Sequence, residues 1–177
     1  MYYSVIKKYD IANGPGVRVT LFVSGCTHHC EGCFNPETWN FQYGAPFTED
    51  TADEIRKALA PDYIAGLTLL GGEPLEDGNW QALLPLLRGV KRTYPQKNIW
   101  CYTGYLFDAD LLERFCEQWE DMKEFLDCLD VIVDGEFVQA KKNISLRFRG
   151  SENQRIIDVQ ESLRQGKTVL WEDVEIM

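Results

Sequence analysis

The sequence predicts an α/β fold built on a mainly parallel sheet, and two observations carry that prediction. Short apolar runs rich in β-formers alternate with longer segments of helical periodicity, which is the pattern of repeated strand–helix units. The runs also end at glycines, in the strand-end loops where α/β folds place their sites. Together these features suggest an open or partial β/α barrel. No tandem repeat or low-complexity linker divides the 177 residues, so the prediction is one domain spanning 1–177.

The elements follow in chain order. "VRVTLFVSG" (17–25) alternates Val17, Val19, Leu21 and Val23 and reads as the first strand, ended by Gly25. "TEDTADEIRKALA" (48–60) reads as a helix: Thr48 is an N-cap, acidic residues follow in the first turn, and Ile55 and Leu59 recur at helical spacing. "AGLTLLGGEPL" (65–75) is a strand running into a glycine turn, and "NWQALLPLLRGVKRTY" (79–94) is a helix that must tolerate Pro85. "NIWCYTGY" (98–105) is the third strand. "DADLLERFCEQWEDMKEFLDCL" (108–129) is a long amphipathic helix or a helix pair, and "DVIVDGEF" (130–137) is a fourth strand and turn. A polar, basic loop leads to "QRIIDV" (154–159) as a fifth strand, a short helical "QESLRQG", and "TVLWEDV" (168–174) as a last strand.

Composition excludes several functions. Hydrophobic residues make up 45% and charged residues 26%, ordinary globular values far from the signature of disorder. The formal net charge of −10 offers no basic footprint for a phosphate backbone, so nucleic acid is not an expected ligand. No window approaches the length of a membrane span, and "MYYSVIKKYDI" has no apolar core with a cleavage site, so the expected location is the cytoplasm. In that reducing compartment six cysteines are not presumed to be disulfides. Cys101, Cys116 and Cys128 are widely and irregularly spaced, as buried structural thiols are.

The other three cysteines are different. "GCTHHCEGCF" (25–34) packs Cys26, Cys30 and Cys33 as C-x3-C-x2-C beside both histidines, with glycines that let the backbone wrap a bound group. A zinc site completed by His28 or His29 is one reading. An iron–sulfur cluster is the other: clusters are held by thiolates at short spacings and normally take four, so three would leave one iron open. An open iron can be chelated by the amino and carboxylate groups of a small molecule. The histidines are then polar bystanders, or act in proton transfer or partner contact.

C-x3-C-x2-C followed by an aromatic, Phe34, resembles the signature of the radical S-adenosylmethionine superfamily. "GGEP" (71–74), after a strand, resembles that superfamily's strand-end motif; Gly71 and Gly72 permit close backbone approach, and Glu73 can accept charge-assisted hydrogen bonds from an ammonium. "NGPGVRVTLFVSGC" (13–26), "PETWN" (36–40), "VDGEFVQ" (133–139) and "RFRGSENQRI" (147–156) extend the resemblance to one branch, the glycyl-radical activases of anaerobic ribonucleoside-triphosphate reductase. The chain departs from the family pattern at Leu70, where many members carry Ser, and at Cys101-Tyr102, where Trp is familiar.

The resemblance implies an incomplete (β/α)6 barrel with a 4Fe–4S cluster on Cys26, Cys30 and Cys33. It implies that an external one-electron donor, such as flavodoxin or a thioredoxin-type system, reduces the cluster. Reductive cleavage of S-adenosylmethionine then yields a 5′-deoxyadenosyl radical that removes hydrogen from a glycine Cα of the partner reductase. Gly32, Cys33 and Phe34 are expected near the adenine, and Gly72 and Glu73 at the methionyl end. Thr103 is expected to contact the ligand or cap the next helix, and Asp134 to assist the cofactor or the glycine segment, or simply to form a turn. Arg147, Arg149 and Arg155 concentrate positive charge in an acidic chain and are expected to guide the partner or meet a carboxylate, unless they are surface arginines of a solvated loop. The alternatives are a radical enzyme acting on a small molecule such as a deazapurine precursor, and a zinc-stabilised interaction module.

Overall fold

The computed structural model describes residues 1–173. Its strands are β1 (Tyr2–Asp10), β2 (Val17–Val23), β3 (Ala45–Pro46), β4 (Ile64–Gly71), β5 (Asn98–Tyr102), β6 (Val131–Asp134) and β7 (Arg155–Asp158). They form one sheet in the order β3-β1-β2-β4-β5-β6-β7. The four central strands β2, β4, β5 and β6 are parallel neighbours, as the strand–helix alternation predicts. The flanks are antiparallel: β1 pairs with β2, β3 with β1, and β7 with β6. β7 runs this way because residues 135–154 return without a crossover helix, which parallel pairing requires.

β1 and β3 have no counterpart in the sequence reading. "YYSVIKKYD" has no clean apolar face: apart from Asp10, every residue of β1 is half-buried or exposed. At the other end, the predicted strand 168–174 reduces to a single bridge from Leu170 to Ile157, and residue 174 lies outside the described residues.

Helix α1 (Glu49–Ala58) starts at Thr48 as predicted, with Thr48 and Thr51 exchanging side-chain-to-backbone hydrogen bonds in a capping box. Helix α2 (Asn79–Thr93) keeps Pro85 on its exposed side. The 108–129 stretch is a helix pair: a π-helix, Phe107–Phe115, runs into α3 (Cys116–Gln118), Trp119 is extended, and α4 (Met122–Asp127) follows. Helix α5 (Val159–Gln165) is capped by Asp158 and ended by Gly166 in the left-handed region.

Alternation along the strands sorts the side chains. Val19, Leu21, Val23, Leu67, Leu69, Ile99, Cys101 and Ile132 are buried against Ile55, Leu83, Leu87, Phe107 and Phe125 from the helices. Each such aliphatic side chain contributes roughly 1.5–3 kcal/mol by leaving water, so this layer holds the domain together. Cys101 and Cys128 are buried in it, as the reading of structural thiols expects, whereas Cys116 is only half-buried beside it.

The opposite face carries Arg18, Phe22, Thr68, Leu70, Trp100, Tyr102 and Val133. Its N-terminal half is filled. Arg18, fully buried, donates to Thr68 Oγ1 at 2.8 Å and to the Leu67 carbonyl at 3.0 Å, and its guanidinium lies 5.6 Å from the Trp100 ring centre. Burial lowers its pKa to about 10. Phe148 and Trp171 pack edge-on against Trp100. The C-terminal end of this face is left open as a cleft.

Candidate functional site

The cysteine loop leaves the C-terminal end of β2, and the Gly71-Gly72-Glu73-Pro74 turn leaves that of its parallel neighbour β4. Their register puts Val23 opposite Gly71, so the two motifs meet. Gly72 N donates to Val23 O at 2.7 Å, Glu73 N to Gly25 O at 2.8 Å, and Gly25 N to Thr38 O at 2.7 Å. A Cβ at Gly72 would stand 2.6 Å from Gly25 O and 2.9 Å from Thr38 O. Only glycine allows this backbone contact.

A cleft of about 570 Å³ opens beside this junction, within the range of small-molecule sites. Cys26, Cys30, Cys33, Phe34, Gly72, Glu73, Thr103 and Arg149 all line it. Phe34 is 62% exposed; its ring lies 5.0 Å from that of Phe137 and Lys142 Nζ sits 5.4 Å from it, so the rim is aromatic and basic. Gly32 lies beside the cleft lining and packs against the Gln139 side chain.

The thiols are free. Burial pushes the Cys26 thiol up to about 12 and that of Cys30 upward. Backbone amides act against this: those of His28 and His29 favour the Cys26 thiolate and that of Phe137 the Cys30 thiolate, while Asn35 N donates to Cys33 Sγ at 3.4 Å. Thiolates that receive amide hydrogen bonds are the donor set of an iron–sulfur cluster. Among the described residues no three His, Cys, Asp or Glu side chains converge on the site of a single ion. The three thiols line one cleft, at the short spacings from which thiolates hold a cluster.

Glu73 is 1% exposed and its carboxylate accepts four hydrogen bonds. Oε1 receives Leu75 N and Thr103 Oγ1, and Oε2 receives Gly104 N and His28 Nε2, each at 2.8 Å. Thr103 therefore holds Glu73. His28 Nδ1 in turn donates to Glu136 Oε1 at 2.8 Å, so one imidazole joins the cysteine loop, the turn after β4 and the turn after β6. Burial disfavours the imidazolium, but the bonds and charges of Glu73 and Glu136 outweigh it and push the His28 pKa up to about 9. With both nitrogens engaged, His28 is not a free fourth metal ligand. His29 stacks on Trp39, ring centres 4.4 Å apart.

Of the remaining predicted residues, Asp134, Arg147 and Arg155 lie off the cleft lining. Asp134 is fully buried and accepts from Phe107 N at 2.8 Å and from Arg155 through Nε at 3.0 Å and Nη2 at 2.6 Å. Arg155 also pairs with Asp108 at 3.0 Å and holds that carboxyl down at about 2. The Asp134–Arg155–Asp108 group clamps the start of the π-helix to β6 and β7. Arg147 lies over Phe148 and pairs with Asp173. Arg149, which does line the cleft, donates to Gln154 O at 2.6 Å and Glu152 O at 3.2 Å, tying the 149–154 loop together. Two acidic residues not singled out in the sequence also matter. Glu76 receives both Thr27 N, at 2.7 Å, and Thr27 Oγ1, at 2.6 Å, and Glu136 anchors His28.

Fold and site together define a class: an α/β protein with three closely spaced thiols on one strand-end loop beside a cleft. A family model described as a 4Fe-4S single cluster domain matches residues 12–157. Within that class, the chain belongs to the family of anaerobic ribonucleoside-triphosphate reductase-activating proteins. It is 44% identical over 160 residues to the member from Enterobacteria phage T4, covering 88% of this chain and 93% of the relative. The Pasteurella multocida relative is 45% identical over 152 residues, covering 83% and 90%. That of Escherichia coli is 43% identical over 155 residues, covering 86% and 93%.

Proposed function

We propose that this enzyme activates an anaerobic ribonucleoside-triphosphate reductase with S-adenosylmethionine as co-substrate, bound in the cleft beside a 4Fe–4S cluster on Cys26, Cys30 and Cys33. The observation that carries the proposal is the junction of the cysteine loop with the Gly72-Glu73 turn at the ends of adjacent parallel strands, both lining one cleft. Cluster and co-substrate supply one-electron chemistry that ends in removal of hydrogen from a glycine Cα of the reductase.

The residues of this chain bind and orient. Cys26, Cys30 and Cys33 are one thiol fewer than a cubane cluster normally takes, so a bound cluster would have one iron open to the amino and carboxylate groups of the co-substrate. Cys33 and Phe34, with Gly32 beside them, form the side of the cleft assigned to the adenine, and Gly72 and Glu73 the side assigned to the methionyl end. The aromatic and basic rim, with Arg149 behind it, suits a protein segment entering from outside. A one-electron donor of the flavodoxin or thioredoxin type is the proposed reductant, in the cytoplasm. Among the described residues no helix is long and apolar enough to cross a membrane. Central strands in sequence order, with the helices on one face, support reading the sheet as an incomplete (β/α)6 barrel.

The test is an EPR spectrum of the anaerobically reconstituted, reduced protein with and without S-adenosylmethionine. A cluster signal that changes on addition supports the proposal. A signal indifferent to it removes the co-substrate, and stoichiometric zinc without iron removes the cluster.

A further inference from the structure

Glu73 lines the side of the cleft assigned to the co-substrate's methionyl end, where its carboxylate would receive an N–H of the amino group, yet that carboxylate is already saturated. A carboxylate offers about four lone-pair sites, and Leu75 N, Thr103 Oγ1, Gly104 N and His28 Nε2 occupy them. An incoming amino N–H has to displace one donor. Two of the four are backbone amides fixed by the turns after β4 and β5, and Thr103 Oγ1 is fixed in turn by the Tyr105 amide at 3.1 Å.

The fourth donor is the exception. His28 lines the cleft, as Thr103 and Gly104 do, but it is a side chain on the cysteine loop with rotatable bonds of its own. Its other nitrogen is held at 2.8 Å by Glu136, whose side chain is 55% exposed and free to follow it. The ring can therefore leave Glu73 by pivoting about Nδ1 without losing both partners. The position is built for the ring: a Cβ on Gly104 would come within 2.7 Å of His28 Cδ2 and Nε2, so glycine in "TGY" makes room for it. Tyr105 supports the ring at 4.5 Å between centres.

We infer that His28 is a positioning residue that competes with the co-substrate: it holds Glu73 in place, and the ligand's amino group displaces it onto Glu136. The inference rests on the proposed use of S-adenosylmethionine. It assigns His28 a sign opposite to that of a contact residue, because deleting a contact weakens binding and deleting a competitor strengthens it.

The experiment is a binding titration of the cluster-loaded protein by calorimetry, in wild type, His28→Ala and His28→Gln, with S-adenosylmethionine and with its des-amino analogue. The expected result is a dissociation constant for S-adenosylmethionine lowered about tenfold in His28→Ala, since one charge-assisted hydrogen bond no longer has to be broken. His28→Gln, which keeps a neutral amide donor, should fall between, and serves alone if the Ala variant does not fold. Affinity for the des-amino analogue should not change. Weaker or unchanged binding of S-adenosylmethionine in the variants, or equal tightening of both ligands, overturns the inference while leaving the proposed function standing. Failure of wild type to bind S-adenosylmethionine overturns both.

Discussion

The amide of Glu73 donates to the carbonyl of Gly25 at 2.8 Å, so the turn after β4 and the cysteine loop after β2 share one hydrogen-bonded backbone. Neither motif is positioned independently. Whatever Cys26 holds is placed relative to Glu73 by main-chain geometry, which leaves little freedom to drift.

Two glycine substitutions should separate backbone contact from side-chain contact. In Gly72→Ala the new Cβ meets backbone oxygens, Gly25 O and Thr38 O, that cannot rotate away. The expected loss is about 2–3 kcal/mol of stability together with a weakened cluster site. In Gly104→Ala the Cβ meets the His28 ring, which can swing aside, so the expected loss is about 1 kcal/mol or less. Denaturant midpoints of the two variants check the order; a larger cost for Gly104→Ala would contradict it.

Cys30→Ala should bind no intact 4Fe–4S cluster and cleave no S-adenosylmethionine, whereas Cys128→Ala should keep its iron and lose only packing stability. Cys128 is buried in the helix-side core, away from the cleft. Iron and sulfide analysis of the reconstituted variants distinguishes them. Full iron content in Cys30→Ala would refute the ligand assignment.

The Asp134–Arg155–Asp108 group is structural and should show it. Arg155→Met leaves the fully buried Asp134 carboxylate without its cation, and the expected cost is about 3 kcal/mol, measured by urea unfolding. Wild-type stability should also depend on acid. Asp108 is held at about 2 in the folded chain against about 3.9 unfolded. A carboxylate with a depressed folded pKa stabilises fully above its unfolded value and loses that contribution as pH falls through the folded one. The urea midpoint should therefore decline between about pH 4 and pH 2, and Asp108→Asn should flatten part of that decline. An unchanged slope in the variant would contradict the assignment.

Much of this site is readable from the sequence, because its chemistry is carried by short spacings. Cys26, Cys30 and Cys33 lie within one loop, and Gly72-Glu73 ends an unmistakable apolar strand. What is not readable depends on pairings between distant segments. His28 gains its role from Glu73 and Glu136, which reach it from two other strand ends, and no local pattern announces that convergence. Asp134 and Arg155 are drawn together only because β7 pairs antiparallel with β6. β1 is concealed for another reason: half-buried or exposed at every residue but Asp10, it has no apolar face to alternate. The π-helix is concealed because Phe107, Leu111 and Phe115 recur at a spacing that an α-helix would equally satisfy.

The measurement that bears most directly on the account is a search for a glycyl radical by EPR, after anaerobic incubation of the reduced, cluster-loaded protein with S-adenosylmethionine and an anaerobic ribonucleoside-triphosphate reductase. The account predicts a radical signal on the reductase that requires both this chain and S-adenosylmethionine and is absent with Cys30→Ala. A fully loaded, reduced protein that consumes S-adenosylmethionine yet leaves the reductase without a radical would contradict it.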